Sequence, residues 1–431
     1  MPPSAVAAPD GEPGSGPNPG PDRWAKAAAV ESAGWVADPP IPVGREGFGV
    51  DIVGVYDGRM PTFDVGAVRL WDDYTRWSSI ERQPGVFDWT VLDALVSGAR
   101  AKGLPVLYTM GQTPRWANPD GPECPYQPNE PCTTAPPDDL SRWDEYVRQV
   151  ATRYKGRIQA YELWNEATTT TYYSGTVDQM VEMSRRAYRI IKAIDPRAIV
   201  VSPSATMIER SSTRTWIDQF AAKGGYDHAD RIAVHLYKES NDGVLDPPER
   251  AVPLVATVRS ILAKRNAGKP LWDTETNEEP DSEEPFPGTE KQAADWVVRY
   301  YLTGLYNRLG RSYFYGWGSH NLKLKLQDVG QEPTAAGRAV QQFIGWMDGA
   351  AIRYCGHGTP NGLPANMWQC AFAYGDGEYA LIRWTDSGSV SYGVGAGTYE
   401  TERVGESAKP AQPGQSLQIT TTPMLVRYRT G

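Results

Sequence analysis

Residues 158–166 read Ile158-Gln159-Ala160-Tyr161-Glu162-Leu163-Trp164-Asn165-Glu166. A short β-rich run stops on an amide and a carboxylate, and a long helical pattern, Val177 to Ile194, follows it. The same unit recurs on both sides. Upstream lie GVDIVGV (49–55), GAVRLW (66–71) and LPVLYTMG (104–111). Downstream lie AIVVSPS (198–204), RIAVHLY (231–237), KPLWDTE (269–275) and RSYFYGW (311–317). Helix-like stretches separate the runs, among them Trp89 to Ala101, Ser141 to Tyr154, Val252 to Asn266 and Thr289 to Leu309. Neighbouring strands joined through a helix are parallel, since a parallel crossover needs a dozen or more residues. Eight such units over about 300 residues predict an α/β fold, a closed (β/α)₈ TIM barrel. The rival, an open doubly wound sheet, needs a Gly-rich first turn, and Val53-Gly54-Val55-Tyr56-Asp57-Gly58 lacks that pattern. Gly393-Val394-Gly395-Ala396-Gly397 lies between strand-like runs with no helix after it and reads as a hairpin turn.

The rhythm changes on either side. After Gly349 the short runs AIRYC, WQCAFAY, YALIRWT, VSYGVG, LQITTT and MLVRYR are separated by Gly, Asp and Ser, which predicts a small antiparallel sheet or sandwich. The expected organisation is a Pro/Gly/Ala-rich flexible leader over 1–32, the barrel over 33–348, and a β-sandwich-like accessory domain over 349–431 that 35–43 could complete. The leader has no basic start and no apolar block, so it does not read as an intact signal peptide.

Lys and Arg number 43 against 52 Asp and Glu, a formal net charge of −9, which disfavours a nucleic-acid partner. No stretch approaches the roughly 20 apolar residues of a membrane span. The 15 Trp and 23 Tyr offer flat faces with a polar edge, suited to packing against sugar rings as well as to a core. Four cysteines fall in two local pairs, Cys124 with Cys132 and Cys355 with Cys370, and local pairing into two disulfides of an exported protein is the simplest reading. Four unrelated thiols remain the alternative. The spacing does not suit a structural zinc site. No cofactor and no catalytic metal are expected; a structural calcium in an acidic loop such as Asp281-Ser282-Glu283-Glu284 is left open. A monomer is expected.

In a barrel of this kind the reacting groups come from the C-terminal ends of the strands. Glu166 ends the fourth run and Glu275 the seventh, and closure makes those two ends face each other across the mouth. Two facing carboxyl groups are what glycoside hydrolysis requires, one protonated to give its proton to the departing oxygen and one ionised to attack or to activate water. Glu166 is assigned as general acid/base and Glu275 as nucleophile. Asn165 is placed to bind a sugar hydroxyl, and Arg69 and Tyr237 to donate to Glu275. His235 points to the same side as Tyr237. Trp317 is expected as a floor under the sugar, with Trp71, Asp72, Gln112 and Trp116 as walls. Period-two alternation puts Asp273 on the face of Glu275, although only Glu275 sits at the tip, and it makes Glu162 a second carboxylate inside the barrel. Glu278 and Glu279 read as solvated loop charges.

These stretches resemble a retaining glycoside hydrolase of the large clan whose barrels carry acid/base and nucleophile on strands four and seven. Within the clan the chain is most similar to family 39, the β-xylosidases and α-iduronidases. The resemblance covers roughly residues 45–345. It rests on Arg69-Leu70-Trp71-Asp72, Trp77-Ser78-Ser79-Ile80-Glu81, Gly85-Val86-Phe87-Asp88-Trp89, Gly111-Gln112-Thr113-Pro114 with Trp116, the stretch ending in Asn165-Glu166, His235-Leu236-Tyr237, and Trp272-Asp273-Thr274-Glu275. It departs at Ala167, where the family usually has Pro. The resemblance implies retention through a covalent glycosyl-enzyme on Glu275, and this chemistry predicts carboxyls about 5–5.5 Å apart. The expected activity is exo-acting cleavage of arabinose- or xylose-containing glycans by a secreted enzyme. An endo-acting exopolysaccharide hydrolase, a transglycosidase with the same machinery, and a non-catalytic carbohydrate-binding barrel are the alternatives. The Pro-rich loop Asn118 to Pro137 and the loop Lys238 to Glu249 are the expected walls that decide exo against endo action.

Overall fold

Alternation along the strands builds two layers inside the sheet. Ala67, Leu107, Ala160, Val201, Ala233, Trp272 and Tyr313, one from each of seven strands, pack together as an apolar plug. Two residues further on, where side chains return to the same face, stand Arg69, Thr109, Glu162, His235, Thr274 and Tyr315. A polar layer is therefore stacked on an apolar one by the two-residue period alone.

The computed structural model describes residues 34–125, 131–238, 246–277, 286–318 and 324–429. The eight barrel strands are Phe48–Val53, Ala67–Asp72, Val106–Thr109, Ala160–Glu162, Ile199–Val201, Ile232–Val234, Leu271–Thr276 and Arg311–Gly318. Each falls within one of the eight runs or extends it by a residue. Neighbours are parallel, in order from the first to the fifth strand on one side and from the first through the eighth and seventh to the sixth on the other. Parallel bridges from Val201 to Arg231 and from Ala205 to Val234 close the ring. The helices between the strands include Thr90–Ala101, Leu140–Arg153, Val177–Ile194, Ser211–Ala222, Ala251–Lys264, Glu290–Tyr306 and Ala335–Met347. Outward residues such as Val50 and Ile52 join the helices in one large core. Thr176 starts the helix Val177–Ile194 with a reciprocal cap to Gln179, which fixes where the loop after the fourth strand ends.

The C-terminal part is a seven-stranded sheet whose pairs are antiparallel, with Trp35–Pro42 at one edge against Ala351–His357. Thr398–Arg403, a strand that the sequence reading omitted, pairs with Met424–Arg429. Its alternation is Thr-Tyr-Glu-Thr-Glu-Arg, too polar to register as a buried run. Trp368, Phe372, Ile382, Trp384 and Leu425 belong to the same core as the barrel helices. Both disulfides form, Cys124 with Cys132 and Cys355 with Cys370. No helix among the described residues is long and apolar enough to cross a membrane.

Two expectations about side-chain direction are corrected by breaks in register. Between Tyr315 and Trp317 the eighth strand slips against the first, so Tyr315 pairs with Asp51 and Trp317 with outward-facing Ile52. Trp317 is consequently buried in the layer between strands and helices, its indole N–H donating to Gln327 Oε1 at 2.9 Å, and it forms no floor to the barrel mouth. Between Asp273 and Thr276 the seventh strand slips against the eighth. Thr274 and Glu275 both reach the interior, while Asp273 accepts from Thr276 Oγ1 at 2.8 Å. Asp273 and Glu275 thus do not share a face. The leader 1–32, Glu278, Glu279, the acidic loop 281–284, and much of the expected walls at 126–130 and 239–245 lie outside the described residues.

Candidate active site

Arg69 is fully buried at the centre of the polar layer, on the second strand. Its Nε donates to Glu162 Oε2 at 2.8 Å and its Nη2 to Asn165 Oδ1 at 2.7 Å. Its Nη1 serves both Asp51 Oδ1 at 2.9 Å and Glu275 Oε2 at 2.7 Å. One planar fork therefore orients side chains from the first, fourth and seventh strands. Burying that cation is tolerable because three carboxyl groups surround it.

Glu162 also accepts from Thr109 Oγ1 at 2.8 Å and from Thr274 Oγ1 at 3.1 Å. Burial by itself would favour its neutral form, but the Arg69 charge and the nearby His235 outweigh that and hold its pKa down to about 2. Glu162 is a fixed negative charge under the mouth.

His235 has no exposed surface. Its Nδ1 is 2.9 Å from Glu166 Oε1 and 4.0 Å from Glu275 Oε1, and its Nε2 faces Glu162 Oε1 at 3.8 Å. Burial pushes the imidazole towards neutrality; the charge of Glu275, the nearby Glu162 and the bond to Glu166 overcome this and raise its pKa to about 10. It is an imidazolium shared by three carboxyl groups.

Glu275 receives donors on both oxygens, Arg69 Nη1 on Oε2 and the Tyr237 hydroxyl on Oε1 at 3.1 Å. Burial raises its pKa from the usual glutamate value, with the charges of Glu166 and Asp72 adding to the rise and those of His235 and Arg69 opposing it. Glu166 keeps some exposure at the mouth. Its backbone lies in the left-handed region at φ 45°, uncommon for a residue with a side chain, and its N–H donates to Ser204 Oγ at 2.8 Å. One oxygen of Glu166, one of Glu275 and a ring nitrogen of His235 all lie within 4.8 Å of one another. These three are the grouping of acidic, His or Cys side chains that could in geometry hold a metal among the described residues. An imidazolium and the Arg69 guanidinium at the same spot oppose a cation there.

The remaining expected wall residues divide. Asp72 is ion-paired with Arg76 and, with Glu275, presses up the pKa of Tyr315, after burial the chief causes of its rise. Trp71 lies under the Arg76 guanidinium, 4.7 Å from its ring centroid, and 6.4 Å from the Tyr172 ring. Gln112, at φ 62°, turns its amide to Cys132 Sγ at 2.9 Å, so it braces the disulfide loop. Trp116 donates to the Glu81 carbonyl at 2.7 Å and packs edge-on to Trp77. Gln112 and Trp116 therefore shape the third-strand loop, and the hydrogen bonds described for them run to that loop and to Glu81. Sequence reading missed Asp51 and Tyr315. A lone Asp inside the apolar run GVDIVGV was an available signal for the first. Tyr315 was hidden by the slip that turns Trp317 away.

No family model and no curated protein matches the sequence. Solved structures do match in fold. A family 39 glycoside hydrolase from Bacteroides cellulosilyticus WH2 superposes with TM-score 0.67 at 16% identity, over 92% of this chain and 82% of that one. A monomeric β-xylosidase from Caulobacter crescentus CB15 gives 0.60 at 17% identity, over 91% and 97%. A family 30 endoxylanase from Clostridium papyrosolvens C71 gives 0.60 at 16% identity, over 92% and 99%. The chain has the fold of these proteins, a TIM barrel with a C-terminal β domain.

Proposed function

We infer that the protein is a retaining glycoside hydrolase, with Glu275 as nucleophile and Glu166 as general acid/base. The observation that carries this reading is the approach of a Glu166 oxygen to within 4.8 Å of a Glu275 oxygen at the open end of the barrel. That spacing suits direct attack at the anomeric carbon; inverting enzymes keep the carboxyls about 6.5–9.5 Å apart to admit a water. Arg69 and Tyr237 hold both oxygens of Glu275 and favour the ionised form that a nucleophile needs, while Glu166 stands opposite with one oxygen on His235 Nδ1.

Glu166 gives a proton to the glycosidic oxygen as Glu275 bonds to the anomeric carbon and the leaving group departs. Ester formation removes the charge of Glu275. Glu166 then takes a proton from water, whose oxygen attacks the same carbon and expels Glu275, with net retention. Positive charge on the sugar ring in both transition states is stabilised by the fixed charge of Glu162 and by the partial charge that Glu275 carries while its bond to carbon forms or breaks.

The structural neighbours named as a β-xylosidase and an endoxylanase favour a xylan-type glycan. Two disulfides favour an exported protein. The experiment is a screen of nitrophenyl pentosides, hexosides and uronides, then polysaccharides, with product stereochemistry followed by NMR. Glu275→Ala is expected to lose about ten-thousand-fold in kcat/KM, roughly 5.5 kcal/mol of transition-state stabilisation. Glu166→Ala is expected to spare dinitrophenyl glycosides, whose leaving group needs no proton, far more than alkyl glycosides. Undiminished turnover by Glu275→Ala, or an inverted product, would sink the reading.

A further inference from the structure

Two tyrosines stand out on the surface at the mouth of the barrel. Tyr56, past the first strand, is 47% exposed, and Tyr74, past the second, is 44% exposed. Their rings lie 5.1 Å apart at 49° to each other, forming a bent aromatic face. Tyr74 is held there by a backbone at φ 56°, a conformation unfavourable for a bulky side chain. The two loops are tied together beneath the rings, where buried Asp73 accepts the Val55 N–H at 2.8 Å.

Beside this face is a cavity of about 590 Å³ between the loops after the first and eighth strands, lined by Tyr56, Asp57, Arg59, Asp328 and Gln331. Asp57 and Arg59 are paired at 2.7 Å, and Asp328 pairs with Lys325 at 3.1 Å, so acceptors and donors are interleaved. Flat rings beside mixed donors and acceptors fit the apolar face and the hydroxyls of a neutral sugar. The place is tied to the catalytic residues along the chain. Tyr74 lies two residues beyond Asp72, and Tyr56 lies five beyond Asp51, at most roughly 17 Å along an extended chain.

We propose that Tyr56, Tyr74 and the adjoining polar cavity form a distal subsite that holds a neutral glycan chain some units away from the bond being cleaved. This rests on the glycosidase reading and adds to it a preference for long chains over a terminal sugar alone.

The test compares the wild type with Y56A/Y74A, using Y56F as the variant that keeps the ring. Turnover is measured on a nitrophenyl xyloside, xylobiose and xylohexaose, and binding by retardation in gels containing soluble arabinoxylan. The double variant is expected to lose about ten-fold more in kcat/KM on xylohexaose than on the nitrophenyl xyloside, and to lose retardation, while Y56F keeps both. A double variant that retains its chain-length preference and its retardation overturns the subsite and leaves the hydrolase reading standing. Retardation of the wild type that the double variant loses, with no glycoside turned over by either, supports the subsite and removes the hydrolase reading. A wild type that arabinoxylan does not retard overturns the subsite.

Discussion

Arg69 has five N–H donors in a rigid fork, and its four described hydrogen bonds run to Asp51, Glu162, Asn165 and Glu275. A lysine would keep the charge but could not hold Glu162, Asn165 and Glu275 in one plane. Tyr237 contributes the other donor to Glu275, and its removal has a signed consequence for pH. Glu275 must be ionised to attack, so the rate falls as pH falls through its pKa, which burial has already raised. The Tyr237 hydroxyl favours the ionised form, so Tyr237→Phe is expected to move the acid limb of kcat/KM to higher pH and leave the alkaline limb in place. The measurement is a pH–rate profile on an activated glycoside; an acid limb moved downward would count against Glu275 as nucleophile.

At the scale of elements, the slips in the seventh and eighth strands aim the chemistry. Each shifts which side chain follows the pleat inward, Glu275 next to Thr274 in one and Tyr315 instead of Trp317 in the other. The loop after the third strand is secured differently, by the Cys124–Cys132 disulfide that bridges eight residues and receives the Gln112 amide. Closing so short a loop stabilises by about 2.5 kcal/mol in the chain-entropy account. Replacing both cysteines by serine is expected to lower the melting temperature by a few degrees and to change KM more than kcat, since the hydrogen bonds described for Gln112 and Trp116 brace the loop rather than the acid pair. Calorimetry and steady-state kinetics on the double variant check this, and a kcat loss like that of Glu275→Ala would contradict it.

For the molecule as a whole, the barrel and the C-terminal sheet share a buried ionic junction as well as a core. Glu249 accepts from Arg299 of the helix Glu290–Tyr306 through both oxygens, and from the Trp384 indole of the sheet at 2.6 Å. All three side chains are buried. Glu249→Ala would leave the Arg299 cation inside without its partner, which typically costs 3–5 kcal/mol, about that here. Urea unfolding followed by fluorescence is expected to show that loss. In the wild type the barrel and sheet are expected to unfold in one transition, because Tyr306 packs edge-on to Trp368 across the boundary. A sheet that melts separately would show that the junction does not couple them.

Periodicity and run ends are local properties of a chain, and so the sequence by itself determined the eight-fold barrel and its C-terminal sheet, and it singled out Glu166 and Glu275 as the carboxylates that end the fourth and seventh β runs. Alternation by two also made Glu162, Arg69 and His235 inward residues. Tertiary structure alone decided what local pattern cannot carry. A register slip is a relation between two strands, invisible in either one, and it removed Trp317 from the mouth, admitted Tyr315 and separated Asp273 from Glu275. The sharing of one Arg69 nitrogen by Asp51 and Glu275, which are distant in sequence, likewise exists only once the ring has closed and desolvation forces the buried charges to find one another.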